Sequence, residues 1–239
     1  MVTFTIDGRE VQAQEGAMIL EVAKENNINI PSLCSHEAVL PYGACRLCLV
    51  EIVKNGRQRL VVSCLYPVEE GLIVKTDSER IKANRRTIME LLLARCPNAP
   101  AIQDMARQLG VEKTPFKLED KKCILCALCV RTCQEVVGVA AISLANRGVN
   151  RELTTPFYEP SEVCIGCGSC AYICPTEAIK FEDIGDTRFI NWPSSKMEFR
   201  LKKCKTCGNY WAPEKQLGYI AKQSNLAPEV FEVCPNCRD

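Results

Sequence analysis

CILCALCVRTC, from Cys123 to Cys133, and CIGCGSCAYICP, from Cys164 to Pro175, are two copies of one cysteine pattern. Each copy spaces its four cysteines as C-x2-C-x2-C-x3-C, and each cysteine of the second copy lies 41 positions after its counterpart. The chain therefore contains an internal repeat of eight cysteines. Disulfides or zinc knuckles are a poor explanation for this pattern, because the same specific spacing occurs twice.

The repeat predicts two [4Fe–4S] cubes. A tight C-x2-C-x2-C turn supplies three thiolates, and the fourth comes from the other copy, as in the two-cluster run of bacterial ferredoxins. The bacterial motif ends in C-P, and Pro175 fits this ending, whereas Gln134 follows the first copy. We assign one cube to Cys123, Cys126, Cys129 and Cys174. We assign the other to Cys133, Cys164, Cys167 and Cys170.

Composition favours metal binding over disulfides. The chain has 17 cysteines among 239 residues, and its first residues, MVTFTIDGRE, lack the pattern of a signal peptide. Cysteines grouped as C-x-x-C in such a chain indicate metal sites. The longest mostly apolar run, Val136 to Ala145, is too short to span a bilayer. A formal net charge of +1 favours neither nucleic acid nor anionic membranes as partners. We expect a soluble, cytoplasmic protein.

The N-terminus is typical of a small β-rich domain. Val2 to Ile6 predicts a strand, Asp7-Gly8 a hairpin turn, and residues 10 to 13 a return strand. Residues 17 to 26 have helical propensity. A further apolar strand, residues 60 to 62, is predicted just before a cysteine.

Four cysteines of this region follow the spacing C-x10-C-x2-C-x15-C; they are Cys34, Cys45, Cys48 and Cys64. Four thiolates suit a [2Fe–2S] rhomb, and plant-type ferredoxins also flank a C-x2-C core with outlying cysteines, although their first gap is four residues. The loop before Cys45 is rich in small residues, so backbone N–H groups can approach the sulfurs. Buried cysteines without a cluster are the alternative.

PSLCSHE, GACRLCLVEI and VVSCLYPVEEGLIVKTDSE, together with the strand-hairpin-helix start, resemble a known [2Fe–2S] domain. It occurs in the large iron–sulfur subunit of respiratory complex I, in the small diaphorase subunit of NAD-linked nickel–iron hydrogenases, and at the N-terminus of complex iron-only hydrogenases. The resemblance implies a β-grasp fold whose cluster ligands are Cys34, Cys45, Cys48 and Cys64. His36, the one histidine, is expected to tune the site rather than bind the cluster.

Two helices are predicted next, in ERIKANRRTIMELLLAR with Asp77 or Ser78 as cap, and in AIQDMARQLG. In the resembling family this region holds a further [4Fe–4S] cluster through one histidine and three cysteines. Here Cys96 stands where the histidine would be, and the three cysteines are missing. We interpret this site as lost and Cys96 as a structural thiol, with a ligand completed by a partner chain as the alternative.

The tail carries a third kind of cysteine group. CKTCGNYW and VCPNCRD place Cys204, Cys207, Cys234 and Cys237 in a C-x2-C-x26-C-x2-C spacing. Two knuckle-like pairs suit tetrahedral zinc, but the spacing does not name the metal, so a further iron–sulfur cluster or no metal remains open. Between the pairs we expect one helix. Upstream, residues 183 to 199 are predicted to be a connector with a strand or two.

The sequence therefore predicts an α+β chain of four parts. These are a β-grasp [2Fe–2S] domain at 1–76, a helical segment with a degenerate cluster site at 77–115, a double [4Fe–4S] domain at 116–182, and a connector with a zinc-ribbon-like knuckle domain at 183–239. Within the third part, the insertion between the repeats is expected to form a hairpin. No nucleotide-binding fingerprint, flavin motif or catalytic triad is found. The chain is predicted to carry electrons rather than bind a substrate.

The resemblance implies a subunit of a multi-subunit oxidoreductase, most closely the small diaphorase subunit of NAD(P)-linked nickel–iron hydrogenases or the iron–sulfur subunit of electron-bifurcating complexes. It implies as partners an FMN- and NAD(P)-binding iron–sulfur subunit, a thioredoxin-like [2Fe–2S] subunit and nickel–iron hydrogenase subunits, with ferredoxin as a further candidate. The tail and the lost middle cluster favour the bifurcating type. The alternatives are the same relay in a formate dehydrogenase or another NAD-linked complex, and a free electron carrier or metal-dependent regulator.

Overall fold

A computed structural model describes residues 1–54 and 56–238. Asn55 and Asp239, which fall within the first and last of the four predicted parts, lie outside the described residues. The chain separates into two compact units, with the boundary between Ala127 and Leu128. Both units mix helices and strands, so the expected α+β class is confirmed.

The first unit is built on a five-stranded sheet with the order β2-β1-β5-β3-β4. Strands β1 and β5 pair in parallel, and the other neighbours are antiparallel. The strands are β1 (Val2–Ile6), β2 (Arg9–Ala13), β3 (Leu49–Lys54), β4 (Arg57–Val62) and β5 (Ile73–Lys75). The predicted N-terminal hairpin is confirmed, with Val2 opposite Ala13.

Alternation of apolar and polar residues places one face of this sheet in a core. In β1 the side chains of Val2, Phe4 and Ile6 are buried while the two threonines between them are partly exposed. Helix α1 (Ile19–Glu25) covers this face with Ile19, Leu20, Val22 and Ala23. The sequence placed this helix correctly.

Two longer helices follow in the first unit, α2 (Glu79–Arg95) and α3 (Pro100–Gln108). Ser78 caps α2, since its Oγ accepts a hydrogen bond of 3.3 Å from the backbone N–H of Ile81. Met89 and Ile102 are fully buried in this part of the unit. Both predicted helices and the cap are confirmed.

The second unit begins with short elements that carry the cysteine repeat. These are α4 (Leu128–Arg131), which continues into a wider turn at Thr132–Val136, and α5 (Ser169–Tyr172). Between them β6 (Ser143–Ala145) and β7 (Glu152–Thr154) form an antiparallel pair. The hairpin expected in the insertion is thus confirmed.

A four-stranded antiparallel sheet with the order β11-β10-β9-β8 completes the second unit. Its strands are β8 (Lys180–Ile184), β9 (Thr187–Asn191), β10 (Lys196–Lys203) and β11 (Tyr210–Pro213). The predicted connector, expected to hold a strand or two, contains the end of β8, all of β9 and the start of β10. Helix α6 (Glu214–Ser224) follows and confirms the helix expected between the two C-terminal cysteine pairs.

Among the described residues, no helix combines the length and apolar character needed to cross a membrane.

Candidate metal centres

All seventeen cysteines lie among the described residues, and none is joined to another by a disulfide bond. Their spacing assigns sixteen of them to predicted ligand groups. The exception is Cys96, which is fully buried and follows the last residue of α2.

The N-terminal cysteine site consists of Cys34, Cys45, Cys48 and Cys64, all buried. Its residues approach one another in two pairs. Cys48 Sγ lies 3.4 Å from Cys64 Sγ, and the backbone N–H of Cys45 donates to Cys34 Sγ at 3.4 Å. A [2Fe–2S] rhomb needs two thiolates on each of two irons, and this pairing fits that requirement.

Thiol acidity at the N-terminal cysteine site follows the same pairing. The thiol of Cys34 donates to Cys45 and lowers the pKa of Cys45 to about 6, despite the opposing effect of burial. The thiol of Cys64 likewise lowers the pKa of Cys48 to about 6. The pKa values of Cys34 and Cys64 are raised well above the usual range by the same side-chain hydrogen bonds and by burial. Each pair therefore already holds one sulfur that favours the thiolate.

The loop before Cys45 needs glycine at position 43. Gly43 has a φ of +71°, and a Cβ there would lie 2.5 Å from Leu65 Cδ1. Since Leu65 follows Cys64 directly, this close approach brings the segments of Cys45 and Cys64 together. The expectation of a small-residue loop is consistent with this geometry.

Arg85 of α2 fixes the backbone on both sides of Cys48. Its Nε donates to the carbonyl of Leu47 at 3.1 Å, its Nη2 to that of Leu49 at 2.6 Å, and its Nη1 to that of Thr76 at 3.1 Å. The residue is only 7% exposed, and burial lowers its pKa. A buried cation thus lies beside a predicted ligand. The sequence analysis missed it, because nothing local distinguishes Arg85 from Arg86.

His36 is half-buried, and its Nδ1 accepts a hydrogen bond of 3.1 Å from the backbone N–H of Ala38. It lines a surface cavity that also includes Cys64. The Nδ1 of His36 is thus already used as a hydrogen-bond acceptor within a local turn.

Of the ligands predicted for the first cube, Cys123 and Cys126 belong to the first unit, and Cys129 and Cys174 belong to the second. Within the first unit, the backbone N–H of Leu125 donates to Cys123 Sγ at 3.4 Å. Within the second, the backbone N–H of Ala178 donates to Cys174 Sγ at 3.3 Å. Such donors suit thiolate sulfurs.

The second predicted cube has all its ligands in one place. Cys133, Cys164, Cys167 and Cys170 line a single cavity in the second unit. Most other side chains around it are apolar, and burial raises the pKa of Cys164 to about 11 and that of Cys170 to about 12. Burial also raises the pKa of Cys133, and buried thiols of this kind fit a metal cluster, because a bound cation would favour their deprotonation.

The sheet of the second unit packs on the turn that carries these ligands. Gly166, between Cys164 and Cys167, has a φ of +72°, and a Cβ there would lie 2.5 Å from the ring of Phe199 in β10. The carbonyl of Gly166 accepts a hydrogen bond of 3.3 Å from Arg188 in β9. Trp192, just after β9, lines the cavity. The sequence analysis assigned no role to Phe199, Arg188 or Trp192.

The C-terminal cysteine site consists of Cys204, Cys207, Cys234 and Cys237. Their four sulfurs lie within 4.8 Å of one another. Sulfurs around a single tetrahedral ion are about 3.8 Å apart, given a Zn–S bond of about 2.3 Å. A cube would place four irons and four sulfides between them and would push them farther apart. The geometry therefore fits one ion.

Hydrogen bonds and ion pairs join the two halves of the C-terminal cysteine site. The backbone N–H of Cys234 donates to Cys204 Sγ at 3.3 Å, which, with further backbone donors, lowers the pKa of Cys204 to about 6. Glu232 pairs with Lys202 at 2.6 Å and with Lys205 at 3.1 Å. The second knuckle is thus attached to the first by polar contacts.

Two family models match the chain. Residues 1–79 match a 2Fe-2S iron-sulfur cluster binding domain, and residues 122–178 and 163–209 match a 4Fe-4S dicluster domain. The chain therefore contains both kinds of domain, and the C-terminal cysteine site follows them. The second dicluster match includes Cys204 and Cys207, although their geometry fits a single ion.

The chain is similar to several curated proteins. It is 34% identical over 212 residues to the NADP-reducing hydrogenase subunit HndD of Solidesulfovibrio fructosivorans, covering 75% of this chain and 36% of that protein. It is 35% identical over 201 residues to the NADPH-Fe(3+) oxidoreductase subunit alpha of Geobacter sulfurreducens (strain DL-1 / KN400), covering 74% and 24%. It is 29% identical over 205 residues to the mitochondrial NADH-ubiquinone oxidoreductase 78 kDa subunit of Candida albicans, covering 74% and 28%. The chain thus spans about a quarter to a third of the length of these relatives.

A solved structure shares the fold. The chain matches the NAD+-reducing [NiFe]-hydrogenase in the H2-reduced state with a TM-score of 0.65 and 28% identity. The match covers 77% of this chain and 88% of that chain.

Proposed function

We propose that the chain relays electrons within a multi-subunit NAD(P)-linked oxidoreductase. The proposal follows from its relationship to the iron–sulfur subunits of NAD(P)-linked hydrogenases and of complex I. The observation that carries the proposal is the gathering of Cys133, Cys164, Cys167 and Cys170 around one apolar cavity, in a chain that contains both cluster-binding domains. Iron–sulfur clusters supply one-electron transfer when bound.

We assign three redox sites to twelve cysteines. The N-terminal cysteine site would hold a [2Fe–2S] cluster, with Cys34 and Cys45 on one iron and Cys48 and Cys64 on the other. One [4Fe–4S] cluster would be held by Cys123, Cys126, Cys129 and Cys174. The other would be held by Cys133, Cys164, Cys167 and Cys170. The apolar walls of its cavity exclude water and would favour the less charged oxidation state.

We assign a single structural zinc to the C-terminal cysteine site. The sulfur separations support one ion, and zinc is the common choice for four thiolates in two knuckles. Cys96 has no role in this scheme beyond packing.

The proposed domain scheme keeps the four predicted parts, 1–76, 77–115, 116–182 and 183–239. A β-grasp fold for the first is supported by a sheet in which β1 and β5 run parallel and α1 packs on one face. A zinc-ribbon-like fold for the last is supported by its two knuckles. We place the protein in the cytoplasm, since a reducing compartment suits cysteine groups without disulfides.

The proposed partners are an FMN- and NAD(P)-binding iron–sulfur subunit, a thioredoxin-like [2Fe–2S] subunit and a nickel–iron hydrogenase module, with ferredoxin as a further electron partner. The solved NAD+-reducing hydrogenase, whose matched chain is covered over 88% of its length, supports this choice. The tail and the lost middle cluster favour a bifurcating complex within this proposal.

Purification of the untagged chain from its source under anaerobic conditions tests the proposal. We expect it to emerge with a flavoprotein, and NAD(P)H to reduce its clusters only when that flavoprotein is present. Hydrogenase activity in the complex would separate the proposal from a formate dehydrogenase. A cluster-loaded chain that emerges alone would contradict it and would favour a free electron carrier.

A further inference from the structure

Trp192 is the one tryptophan among the residues that line the cavity of Cys133, Cys164, Cys167 and Cys170. It is 6% exposed and packs in the core of the second unit with Ile190 and Phe199. Its backbone is held by Ser195, whose carbonyl accepts its N–H at 2.8 Å. The indole is therefore fixed in place by packing and by a local turn.

The Nε1–H of Trp192 is buried and has no acceptor with hydrogen-bond geometry among the described residues. Burying an unpaired N–H costs free energy, so such groups normally have a partner. The side chains around the cavity offer the Nε1–H almost no oxygen or nitrogen acceptor. Apart from Ser169, the residues around the cavity are apolar, glycine or cysteine.

Sulfur is thus the acceptor that the cavity offers. Trp192 and Cys170 line the same cavity, and although burial raises the pKa of Cys170, the indole of Trp192 partly opposes that rise. A backbone donor is present as well, since the N–H of Ala141 donates to Cys133 Sγ at 3.2 Å. The N–H of Trp192 differs from the backbone N–H of Ala141 because it belongs to a side chain, so a substitution can remove it.

We propose that the Nε1–H of Trp192 donates a hydrogen bond to a sulfur of the [4Fe–4S] cluster held by Cys133, Cys164, Cys167 and Cys170, and that this bond raises the reduction potential of that cluster. The reduced cluster carries one more negative charge, so a donor to its sulfur stabilises the reduced state more than the oxidised one. Trp192 is then a positioning and tuning residue, which binds no iron. This inference rests on the proposed function, because it requires a cluster in this cavity.

Trp211 offers a matched control. It is the other tryptophan of the chain, and its Nε1 likewise has no acceptor among the described residues. It packs against the small C-terminal core instead, is only partly buried, and has Arg238 5.8 Å from its ring. A general effect of losing an indole should therefore appear in both variants.

The experiment compares the full-length chain with Trp192→Phe and Trp211→Phe, each purified anaerobically and titrated electrochemically with EPR detection. In Trp192→Phe we expect the equilibrium constant for reduction of one [4Fe–4S] cluster to fall about ten-fold, a shift of 59 mV to more negative potential for one electron. The other two centres should keep their potentials, and Trp211→Phe should change none. Unchanged potentials in a fully loaded Trp192→Phe protein would overturn the inference.

A second measurement does not depend on the stability of that variant. Trp211→Phe protein labelled with 15N at the indole nitrogen carries the label at Trp192 alone. Pulsed EPR of the reduced sample should detect coupling between this nitrogen and a [4Fe–4S] cluster, and a missing coupling would overturn the inference. Iron and sulfide are assayed on the same samples. Too little of both for two cubes would instead contradict the proposed function.

Discussion

The N-terminal and C-terminal cysteine sites both use four thiols, but the chain supports them differently. At the N-terminal cysteine site all four cysteines are buried, and Cys48 and Cys64 are part of a core that includes Phe4 and Ile6. At the C-terminal cysteine site Cys207 is exposed, and the adjoining core has only four buried members among the described residues, Ala212, Leu217, Ala221 and Phe231.

This difference indicates what holds each site together. A five-stranded sheet with α1 and α2 can fold by burying apolar surface and can position thiols in advance. A segment with so small a core needs another source of stability, and a bound ion is the usual one. We infer that packing supports the N-terminal cysteine site, whereas the metal supports the C-terminal one.

Removing one ligand from each site gives the largest contrast. Cys204→Ser should unfold the segment around the C-terminal cysteine site, because structural zinc contributes about 10–16 kcal/mol in small zinc domains. Hydrogen exchange should then be fast across α6. Cys48→Ser should lose the [2Fe–2S] absorbance, yet β1 and β3 should stay protected. A protected α6 in Cys204→Ser would contradict the contrast.

Substitution of Arg85 tests the inference that packing supports the N-terminal cysteine site. Arg85→Met removes three hydrogen bonds to buried or partly buried carbonyls, and we expect a loss of about 3 kcal/mol in the stability of the first unit. Native-state hydrogen exchange in α2 and β3 measures it. Arg86→Met is the control, since Arg86 is exposed and, among the described residues, its side chain donates to the carbonyl of Gly110 alone. An equal loss of stability in the two variants would show that the hydrogen bonds of Arg85 around Cys48 do not stabilise the first unit more than the exposed bond of Arg86 does.

Gly166 extends the comparison to the cavity of the second cube. Gly166→Ala would place a Cβ 2.5 Å from the ring of Phe199, at a φ of +72°. We expect a loss of about 2 kcal/mol from the combined strain and overpacking, with lower occupancy of that cluster. Gly185→Ala shares the positive φ, but no described residue other than its two chain neighbours lies within 4 Å of the added Cβ. Its loss should be about 1 kcal/mol. If the two variants match, the sheet does not support the ligand turn.

Ser78→Ala should give the smallest effect. It removes the cap of α2 and should cost about 1 kcal/mol, measured by hydrogen exchange in the first turn of that helix. Thr87→Ala lies in the same helix and loses only an exposed hydrogen bond to the carbonyl of Ala83. It should leave that turn unchanged. Loss of [2Fe–2S] absorbance in Ser78→Ala would mean that the N-terminal cysteine site depends on α2 more than its packing indicates.

The features that the sequence predicted correctly are those that depend on short-range patterns of residues. A cap at Asp77 or Ser78 and the apolar periodicity that follows predicted α2, which the structure places at Glu79–Arg95 with Ser78 as its cap. The family matches support both cluster domains. The size of the second sheet was missed, although Met197, Phe199 and Leu201 alternate with charged residues in β10, the period of a half-buried strand.

The residues that surround the ligands depend on tertiary contacts instead. Arg85 reaches carbonyls 36 and 38 positions earlier in the chain, and no local signal predicts this. Trp192 lies 18 positions beyond Cys174 and enters the cavity only because β9 packs on it. The metal of the C-terminal cysteine site was left open by spacing, and the separation of its sulfurs is what favours a single ion.

Iron, acid-labile sulfide and zinc per chain, measured on anaerobically purified protein, test the central claim most directly. One [2Fe–2S] cluster, two [4Fe–4S] clusters and one structural ion predict about ten irons, about ten sulfides and about one zinc. About fourteen irons without zinc would contradict the account, since the C-terminal cysteine site would then hold a fourth cluster and a second exit for electrons.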